Sequence, residues 1–343
     1  MKSSYLLVFL FFFSAELLSA QLGGLTSFNH LNIPGSARVA AMGGSYFTMK
    51  DGDVHLMQFN PALLDSNMHN KMGLSFVDYF DGIAMGYATY ARQLKPKITA
   101  GATMQYLNYG KQPELDALGY EMGEFQAADY ALTLSAGYQY DSLWSMGLSF
   151  KTLYSALANY ASVAVALDGA VTYNKPSRGF AASLLISNLG MQLSSFTSQK
   201  EKLPFQMQIG IVKRPAHAPF RFSLVYSNIQ QWNIGFDNPT ATVITDPITG
   251  EVIDENTWEF GDDLMRHITV GSEFILSKNL NVRIGYNYRR RQELKLEEKP
   301  GTAGFSYGLG LRVSKFQLSY GRAIYHLAGP SNHFSVTTSF SEW

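Results

Sequence analysis

The chain contains no cysteine, no long apolar run and no excess of charge of either sign. Without cysteine, disulfides and thiolate metal sites are excluded. Lys plus Arg and Asp plus Glu both number 27, so the formal net charge of zero disfavours a broadly basic nucleic-acid-binding protein. No segment approaches about 18 consecutive apolar residues, so membrane-spanning helices are not expected.

Sequence motifs of common enzyme classes are also scarce. The chain has no His-Glu-x-x-His zinc motif and no P-loop, and its seven histidines are scattered. His333 and Ser335 lie two residues apart on one predicted strand, and by phase they belong to its polar face. We therefore expect a protein without catalytic residues, metal ions or cofactors.

The first 20 residues have the composition of a secretory signal peptide. Lys2 precedes an apolar run at 5–13, and Leu18-Ser19-Ala20 offers a small residue for cleavage. The run is too short to span a bilayer as a helix. Because Gln21 rather than cysteine follows, lipoprotein anchoring is not expected. Residues 1–20 are predicted to be a signal peptide; a buried N-terminal helix is the alternative.

From residue 279 to residue 340, apolar residues alternate with polar or very small ones. In the first such segment the apolar positions are Leu280, Val282, Ile284, Tyr286 and Tyr288. In a later segment they are Phe305, Tyr307, Leu309, Leu311 and Val313. Because successive side chains of a strand point to opposite faces, each segment has one apolar and one polar face. Segments of about 10 residues with this pattern are typical of tilted strands that cross an outer membrane.

Residues 72–343 are predicted to form a transmembrane antiparallel β-barrel of about 14 strands, so the fold class is all-β. The connections alternate between tight turns and long loops, and the long ones are predicted at 110–125, 191–204, 229–265 and 292–302. Barrels of this kind have short periplasmic turns and longer outer loops, which places the long loops at the cell surface. A soluble β-sandwich, with the same apolar residues in its core, is the alternative.

Residues 21–71 do not alternate, and we expect them to form a plug or hatch inside the barrel. A barrel of 14 strands is wide enough to need such filling. The segment contains the candidate hatch motifs Met42-Gly43-Gly44 and Asn60-Pro61-Ala62. A periplasmic extension is the alternative.

The predicted outer loop at 237–265 is acidic and contains no Lys or Arg. Such a loop is compatible with docking of a basic partner, with Ca²⁺ bound by oxygen ligands, or with simple solvation. The aromatic residues within it favour docking, because aromatic anchors are typical of interfaces. The candidate partner-binding residues are Asp246, Glu251, Asp254, Glu255, Trp258, Phe260, Asp262 and Asp263.

Four arginines form a second candidate surface site. Arg289, Arg290 and Arg291 are predicted at the outer end of a strand that spans 279–291, and Arg322 lies at a comparable level. Guanidinium groups bind phosphate oxygens in a bidentate manner, so these residues are candidate contacts to lipopolysaccharide. Pairing with the acidic loops is the alternative.

The N-terminal segment also carries a family resemblance. Phe28 and Leu31, followed by Pro34-Gly35-Ser36-Ala37-Arg38, Met42-Gly43-Gly44 and Asn60-Pro61-Ala62-Leu63-Leu64, resemble the PorQ family of the Bacteroidetes type IX secretion system. The Asn-Pro-Ala motif ahead of 14 strands is similar to the wider FadL-like superfamily, and the related PorV barrels share parts of the pattern. The whole mature length fits the PorQ family, although the motifs cover only its first fifty residues or so.

Two classes of function follow. The resemblance implies a non-enzymatic outer-membrane component that anchors a PorZ-like surface protein in the cargo attachment complex with PorU and PorV. The alternatives are FadL-like transport of hydrophobic small molecules and a PorV-like cargo shuttle. Predicted lumen residues are polar, which disfavours a continuous apolar tunnel; they are Asp168, Arg283, Asn287 and Arg312. Outer-membrane lipids are the expected surroundings.

Overall fold

Fourteen antiparallel strands close into a barrel in the computed structural model, which describes residues 28–116, 118–197, 199–235, 244–245, 252–253, 260–294, 301–326 and 329–342. Each of the 14 wall strands pairs with the wall strands before and after it in the chain, and the first pairs with the last to complete the ring. The wall consists of β1 (Lys71–Asp78), β2 (Ala84–Lys95), β3 (Ile98–Leu115), β4 (Glu121–Gln139), β5 (Trp144–Leu157), β6 (Tyr160–Lys175), β7 (Phe180–Ser194), β8 (Gln206–Lys213), β9 (Phe220–Ser227), β12 (Ile268–Ile275), β13 (Leu280–Asn287), β14 (Phe305–Val313), β15 (Phe316–His326) and β16 (Gly329–Ser339). The predicted all-β barrel and its strand count are confirmed.

The short strands β10 (Ile244–Thr245) and β11 (Val252–Ile253) form a separate antiparallel pair within the acidic loop. The helical elements of the described residues are equally short. They are α1 (Ala37–Ala41), α2 (Phe260–Arg266), α3 (Tyr288–Leu294) and 3-10 turns at Asn29–Asn32, Val54–Gln58, Pro61–Leu63, Ser66–Met68, Pro176–Arg178 and Phe340–Glu342. None of these helices has the length and apolar character needed to cross a membrane.

The wall is apolar on its outer face and polar on its inner face. On β14, Phe305 and Tyr307 are about half exposed, at 50% and 52%, whereas the intervening Ser306 is buried. The same alternation runs along β5, where the residues between Trp144 and Tyr154 are alternately exposed and buried. In a soluble barrel the apolar face would point inward, so this arrangement is that of a membrane-spanning wall.

Two rows of aromatic side chains border the apolar band. One row joins Tyr106, Tyr130 and Tyr154, with ring centroids 5.0 and 6.1 Å apart. The other begins at Trp144, which lies 5.0 Å from the ring of Tyr173. Residues 144 and 154 of β5 are separated by roughly 33 Å along the strand, which becomes about 25 Å across the membrane at a typical tilt. This height matches the hydrocarbon band of an outer-membrane barrel.

The two ends of the barrel differ in the length of their connections. At the short-turn end the strands are joined by tight turns, such as that between β2 and β3 and that between β14 and β15. At the long-loop end lie the connections from β7 to β8, from β9 to β12 and from β13 to β14. Three of the four predicted long connections therefore lie at one end of the barrel, although the connection from β5 to β6 at that end is tight.

Two sequence predictions about the long-loop end are wrong. Residues 110–125 are not a loop, because β3 and β4 continue as a hairpin whose pairs run from Lys111↔Gln126 to Leu115↔Glu121. The strand predicted at 279–291 ends at Asn287, and α3 follows. The side-chain oxygen of Asn287 accepts a hydrogen bond of 2.9 Å from the backbone N–H of Arg290, which caps the new helix.

Candidate functional site in the barrel lumen

Residues 28–70, called here the luminal segment, lie against inward-facing side chains all around the barrel. The backbone N–H of Ala37 donates to Ser335 Oγ on β16 at 2.9 Å. On β14, Ser306 Oγ accepts from the backbone N–H of Gly43 and donates to the carbonyl of Ala41, both at 3.0 Å. The segment also has an apolar core of its own, formed by Val39, Met42, Tyr46, Val54, Leu56, Met57, Leu63, Leu64 and Met68.

Glycines of the wall give the luminal segment room to approach. A Cβ on Gly285 would lie 2.1 Å from the backbone nitrogen of Gly43. A Cβ on Gly147 would lie 2.3 Å from the carbonyl carbon of Pro61. Both distances are far below van der Waals contact, so the backbone of the segment touches the wall at both places. Both of the sequence motifs named above, together with Ala37, whose carbonyl oxygen would lie 2.2 Å from a Cβ on Gly321, are points of close approach to the wall.

Six charged residues, called here the charged cluster, join the luminal segment to three strands of the wall, and all but the partly exposed Asp51 are buried. The segment contributes Arg38, Asp51 and Asp53, while β9, β12 and β13 contribute Arg221, Glu273 and Arg283. With three guanidinium groups and three carboxylates, the cluster is balanced in formal charge. Buried charges require such pairing, because an uncompensated ion would carry a large desolvation cost.

Glu273 is the centre of the charged cluster. Its carboxylate accepts from Arg38 at 3.0 Å, from Arg221 at 2.5 Å and from Arg283 at 2.9 Å. Arg38 in turn contacts Asp51 at 2.7 Å. One carboxylate of the wall therefore holds an arginine of the luminal segment together with two arginines of neighbouring strands.

Electrostatics inside the cluster favour the charged forms of its acids. Burial alone would raise the pKa of Asp51, but Arg38 and Arg221 hold it below its usual value. Burial raises the pKa of Tyr46 to about 12, so its hydroxyl stays neutral and accepts a hydrogen bond of 3.3 Å from Arg38. The segment is thus latched by ion pairs at neutral pH.

Asn60 fixes the second hatch motif. Its amide donates to the carbonyl of Phe47 at 2.8 Å and to Thr172 Oγ1 at 3.1 Å, while its side-chain oxygen accepts from the backbone N–H of Ala62 at 2.9 Å. Pro61 occupies the first position of the short turn that Asn60 caps. This set of contacts explains why Asn, Pro and a small residue stand together here.

Replacing Asn60 with alanine should destabilise the protein by about 2–3 kcal/mol, because a cap is lost and the carbonyl of Phe47 loses a partner in the dry lumen. The free energy of unfolding, measured by urea titration in lipid vesicles, checks this. Asn67→Ala is the matched control, since Asn67 is exposed and bonds only within its own turn. Equal effects of the two substitutions would contradict this role of Asn60.

A chain of hydrogen bonds links the luminal segment to the seam between β1 and β16. Ser75 Oγ on β1 lies 2.8 Å from Ser335 Oγ and 3.2 Å from Nδ1 of His55. The imidazole of His55 is buried, and burial lowers its pKa, an effect that Asp53 offsets in part. His55 is therefore held neutral in the folded barrel.

Stability should fall as the pH drops below about 6.5, the ordinary pKa of an unfolded histidine. The unfolded chain then binds a proton at His55 that the folded protein resists, which costs at most about 1.4 kcal/mol per pH unit. Urea midpoints between pH 7.5 and pH 5.0 measure this loss. His55→Gln should reduce the slope of the profile in that window, and a variant with the wild-type slope would exclude His55 as a source of the pH dependence.

Most of the predicted acidic docking residues lie outside the described residues, namely Asp246, Glu251, Asp254, Glu255 and Trp258. Three others are described. Phe260 is 71% exposed and stacks on Trp232 at 5.2 Å. Asp262 accepts hydrogen bonds from Arg266 and Tyr288, both at 2.6 Å, and Asp263 is buried. Docking through these residues stays a prediction. Of the three described ones, Phe260 alone has a largely exposed side chain.

The four arginines predicted to contact lipopolysaccharide do not form one surface. Arg289 pairs with Glu293 on α3 at 2.7 Å, and Arg290 lies 3.9 Å over the ring of Tyr325. Arg291 donates to the carbonyl of Gly301 at 3.0 Å. Arg322 lies on the outer face of β15 and donates to Asn332 at 3.0 Å. Lipopolysaccharide binding stays a prediction, and among these residues the position of Arg322 suits it best.

One sequence pattern of hydrolases occurs in the wall without forming a nucleophile turn. Gly304-Phe305-Ser306-Tyr307-Gly308 spells Gly-x-Ser-x-Gly. Ser306, however, stands within the regular strand β14, and its hydroxyl is engaged by the luminal segment. His333 and Ser335 likewise face the lumen and are buried.

An outer-membrane β-barrel with polypeptide packed in its lumen is the class of protein that this geometry defines. Solved structures of similar fold include the Ralstonia pickettii toluene transporter TbuX, at 12% identity and a TM-score of 0.54, covering 90% of this chain and 99% of that one. The Pseudomonas putida toluene transporter TodX follows at 11% identity and 0.53, with coverage of 90% and 99%. A Pseudomonas aeruginosa FadL homologue has 8% identity and 0.50, with coverage of 89% and 98%.

The chain therefore has the fold of the FadL-like outer-membrane barrels. At identities of 8–12% this likeness concerns the fold alone. No protein-family profile and no curated protein matches the sequence.

Proposed function

We propose that this protein is a closed, non-enzymatic outer-membrane anchor of a type IX secretion system that holds a PorZ-like surface protein. The observation that carries this proposal is the charged cluster, which ties the luminal segment to three strands of the wall through Glu273. A barrel whose lumen is filled by a segment ion-paired to the wall suits an anchor better than a transport channel. The long-loop end faces the cell exterior in this proposal, as in other outer-membrane barrels.

The contacts of the family-like motifs support the proposal. Arg38, the last residue of Pro34-Gly35-Ser36-Ala37-Arg38, enters the charged cluster. Gly43 and Asn60, from the other two motifs, bond to β14 and β6. The residues on which the PorQ resemblance rests are thus the residues that fasten the luminal segment. In this proposal the motif residues serve to keep the barrel closed, and the partner is recognised by residues at the long-loop end.

Transport of hydrophobic small molecules is the second candidate, and the likeness of fold to TbuX and TodX favours it. Their identity to this chain is only 12% and 11%, so that likeness concerns the fold alone. Transport would require the luminal segment to leave an apolar path open. The inward-facing Arg221, Glu273 and Arg283 place charge where such a path would run.

Two measurements on the intact barrel separate these candidates. The protein is purified from the outer membrane of its host, analysed by mass spectrometry for bound lipid, and inserted into planar bilayers. In parallel, the host gene is deleted and the amount of PorZ-like protein at the cell surface is measured. The anchor proposal predicts a silent bilayer and a surface protein lost from the deletion strain. Retention of that surface protein, with fatty acid or aromatic hydrocarbon bound to the barrel, would overturn it in favour of transport.

A further inference from the structure

The hairpin formed by the ends of β3 and β4 stands free of the rest of the wall. The pairing of β3 with β2 begins at Asn108, and the pairing of β4 with β5 begins at Ala127. Beyond these residues, 111–115 and 121–126 pair with each other, and the backbone N–H of Ala158 donates to the carbonyl of Gln126 at the base of the hairpin. The ribbon extends roughly 16 Å past its neighbours, at about 3.3 Å per residue. It also lies beyond the aromatic row of Tyr106 and Tyr130, and so outside the apolar band.

The turn at the tip of this hairpin is held in one conformation by Asp116. Its carboxylate accepts hydrogen bonds from the backbone N–H groups of Leu118 and Tyr120, both at 2.9 Å. Gly119 adopts a positive φ of 87°, which the turn requires and glycine tolerates. An isolated two-stranded ribbon is only marginally stable, so a built turn of this kind reduces the entropy that a binding partner must remove.

The tip carries three strongly exposed large apolar side chains, and Leu118 is the most exposed of this kind among the described residues. Leu118 is 82% exposed, Tyr120 is 68% exposed and Met122 is 71% exposed. None of the three faces the lipid band, where exposure of apolar side chains is expected. Aromatic and methionine side chains on a pre-formed protrusion are typical anchors of protein interfaces.

Carboxylates surround these apolar side chains. Residues 111–124 contain Glu114, Asp116, Glu121 and Glu124, against Lys111 as the one basic residue. Lys111 pairs with Glu124 at 2.7 Å, and both side chains are well exposed. The remaining negative charge would attract a basic surface and repel an acidic one.

We propose that this hairpin tip, residues 111–126, docks into an apolar pocket rimmed by Lys and Arg on a cell-surface protein. The inference rests on the proposed function, because it assigns a surface and a partner chemistry to the anchor. It also differs from the sequence prediction, which placed docking on the acidic loop at 237–265. In the structure the hairpin tip offers a rigid apolar element with an acidic rim.

Site-specific photo-cross-linking in the native host tests the proposal. A photoreactive phenylalanine analogue replaces Tyr120 in the full-length protein, and the matched control carries it at Tyr160. Tyr160 is 62% exposed at the neighbouring turn between β5 and β6 and has no acidic residue within four positions. We expect one surface protein to cross-link from position 120 and not from position 160. The same protein should lose its cross-link when Glu114 and Glu121 are both replaced by lysine.

The cross-linked protein is then purified, and its affinity for the wild-type barrel and for a Leu118→Ser/Tyr120→Ser/Met122→Ser variant is measured at two salt concentrations. We expect at least tenfold weaker binding by the variant, and weaker binding by the wild type at high salt. Heat-dependent gel migration verifies that the variant barrel is folded. Unchanged affinity of the folded variant overturns the proposal.

The cross-linking pattern also separates failure of this inference from failure of the proposed function. Cross-links from Phe260 but not from position 120 would disprove docking through the hairpin while leaving the anchor intact. An absence of cross-links from both positions, combined with retention of the PorZ-like protein at the surface of the deletion strain, would disprove the anchor itself.

Discussion

Glu273→Gln is expected to destabilise the folded barrel by about 3–5 kcal/mol, the cost of removing one partner from a buried ion pair. The substitution keeps the shape of the side chain and removes its charge. Arg38, Arg221 and Arg283 would then share only the carboxylates of the luminal segment. The NH₂ group of the glutamine amide would also face guanidinium N–H groups, and neither can accept a hydrogen bond. At least one guanidinium would therefore lose its partner in the lumen.

Urea unfolding in lipid vesicles and conductance in planar bilayers measure this effect. The matched control is Glu124→Gln, which removes the exposed partner of Lys111 and should leave both readouts unchanged. The double variant Glu273→Gln/Arg221→Gln restores the balance of charge and should recover part of the loss. If Glu273→Gln behaves like Glu124→Gln, the charged cluster does not latch the luminal segment.

Gly147→Val is expected to displace the luminal segment from the wall and to make the barrel conduct ions. Even the first carbon of the new side chain would lie 2.3 Å from the carbonyl carbon of Pro61, and backbone cannot yield as a flexible side chain can. Nearby, Ser145 Oγ donates to the carbonyl of Ala62 at 2.8 Å, a bond that the displacement would break. Overpacking usually costs about 1–3 kcal/mol, and a clash with backbone lies at the upper end of that range.

The readouts are bilayer conductance and the sensitivity of cells to antibiotics too large for an intact outer membrane. Gly86→Val is the control, because a Cβ on Gly86 meets no atom within 4 Å. Both variants carry the same β-branched residue in a strand. A difference between them therefore reports the clash with the luminal segment and not the effect of valine on the strand. A silent Gly147→Val barrel with wild-type stability would contradict the seating of Pro61 against β5.

The wall of the barrel was predictable because a membrane imposes a strict period on every strand. Phe305 and Tyr307 point outward and Ser306 inward, as the alternation predicts. The end of β13 was not predictable from that period. Tyr288 continues the apolar phase, yet the chain turns into α3 after Asn287, and only the capping bond of Asn287 marks the change.

The contacts within the charged cluster could not be predicted from the sequence either. The polar inner face predicts that Arg283 lies in the lumen, where it is indeed buried. Its partners lie far apart in sequence, because Arg38 meets Glu273 across 235 residues. Alternation assigns each of them to a face but cannot bring them together. The free hairpin was hidden for a related reason, since Gly110, Pro113 and Gly123 interrupt the alternation there while the backbone pairing continues.

The closure of β1 on β16 also determines the order in which this protein can be assembled. The seam runs from Lys71↔Ser339 to Asp78↔Asn332, so it cannot form until the last strand has been synthesised and delivered. Ala37 and His55 bond to Ser335 and Ser75 on the two sides of that seam. The luminal segment is the first described part of the chain to be made, and its bond to Ser335 cannot form until the final strand arrives. In this way the segment can act as the template on which the ring closes.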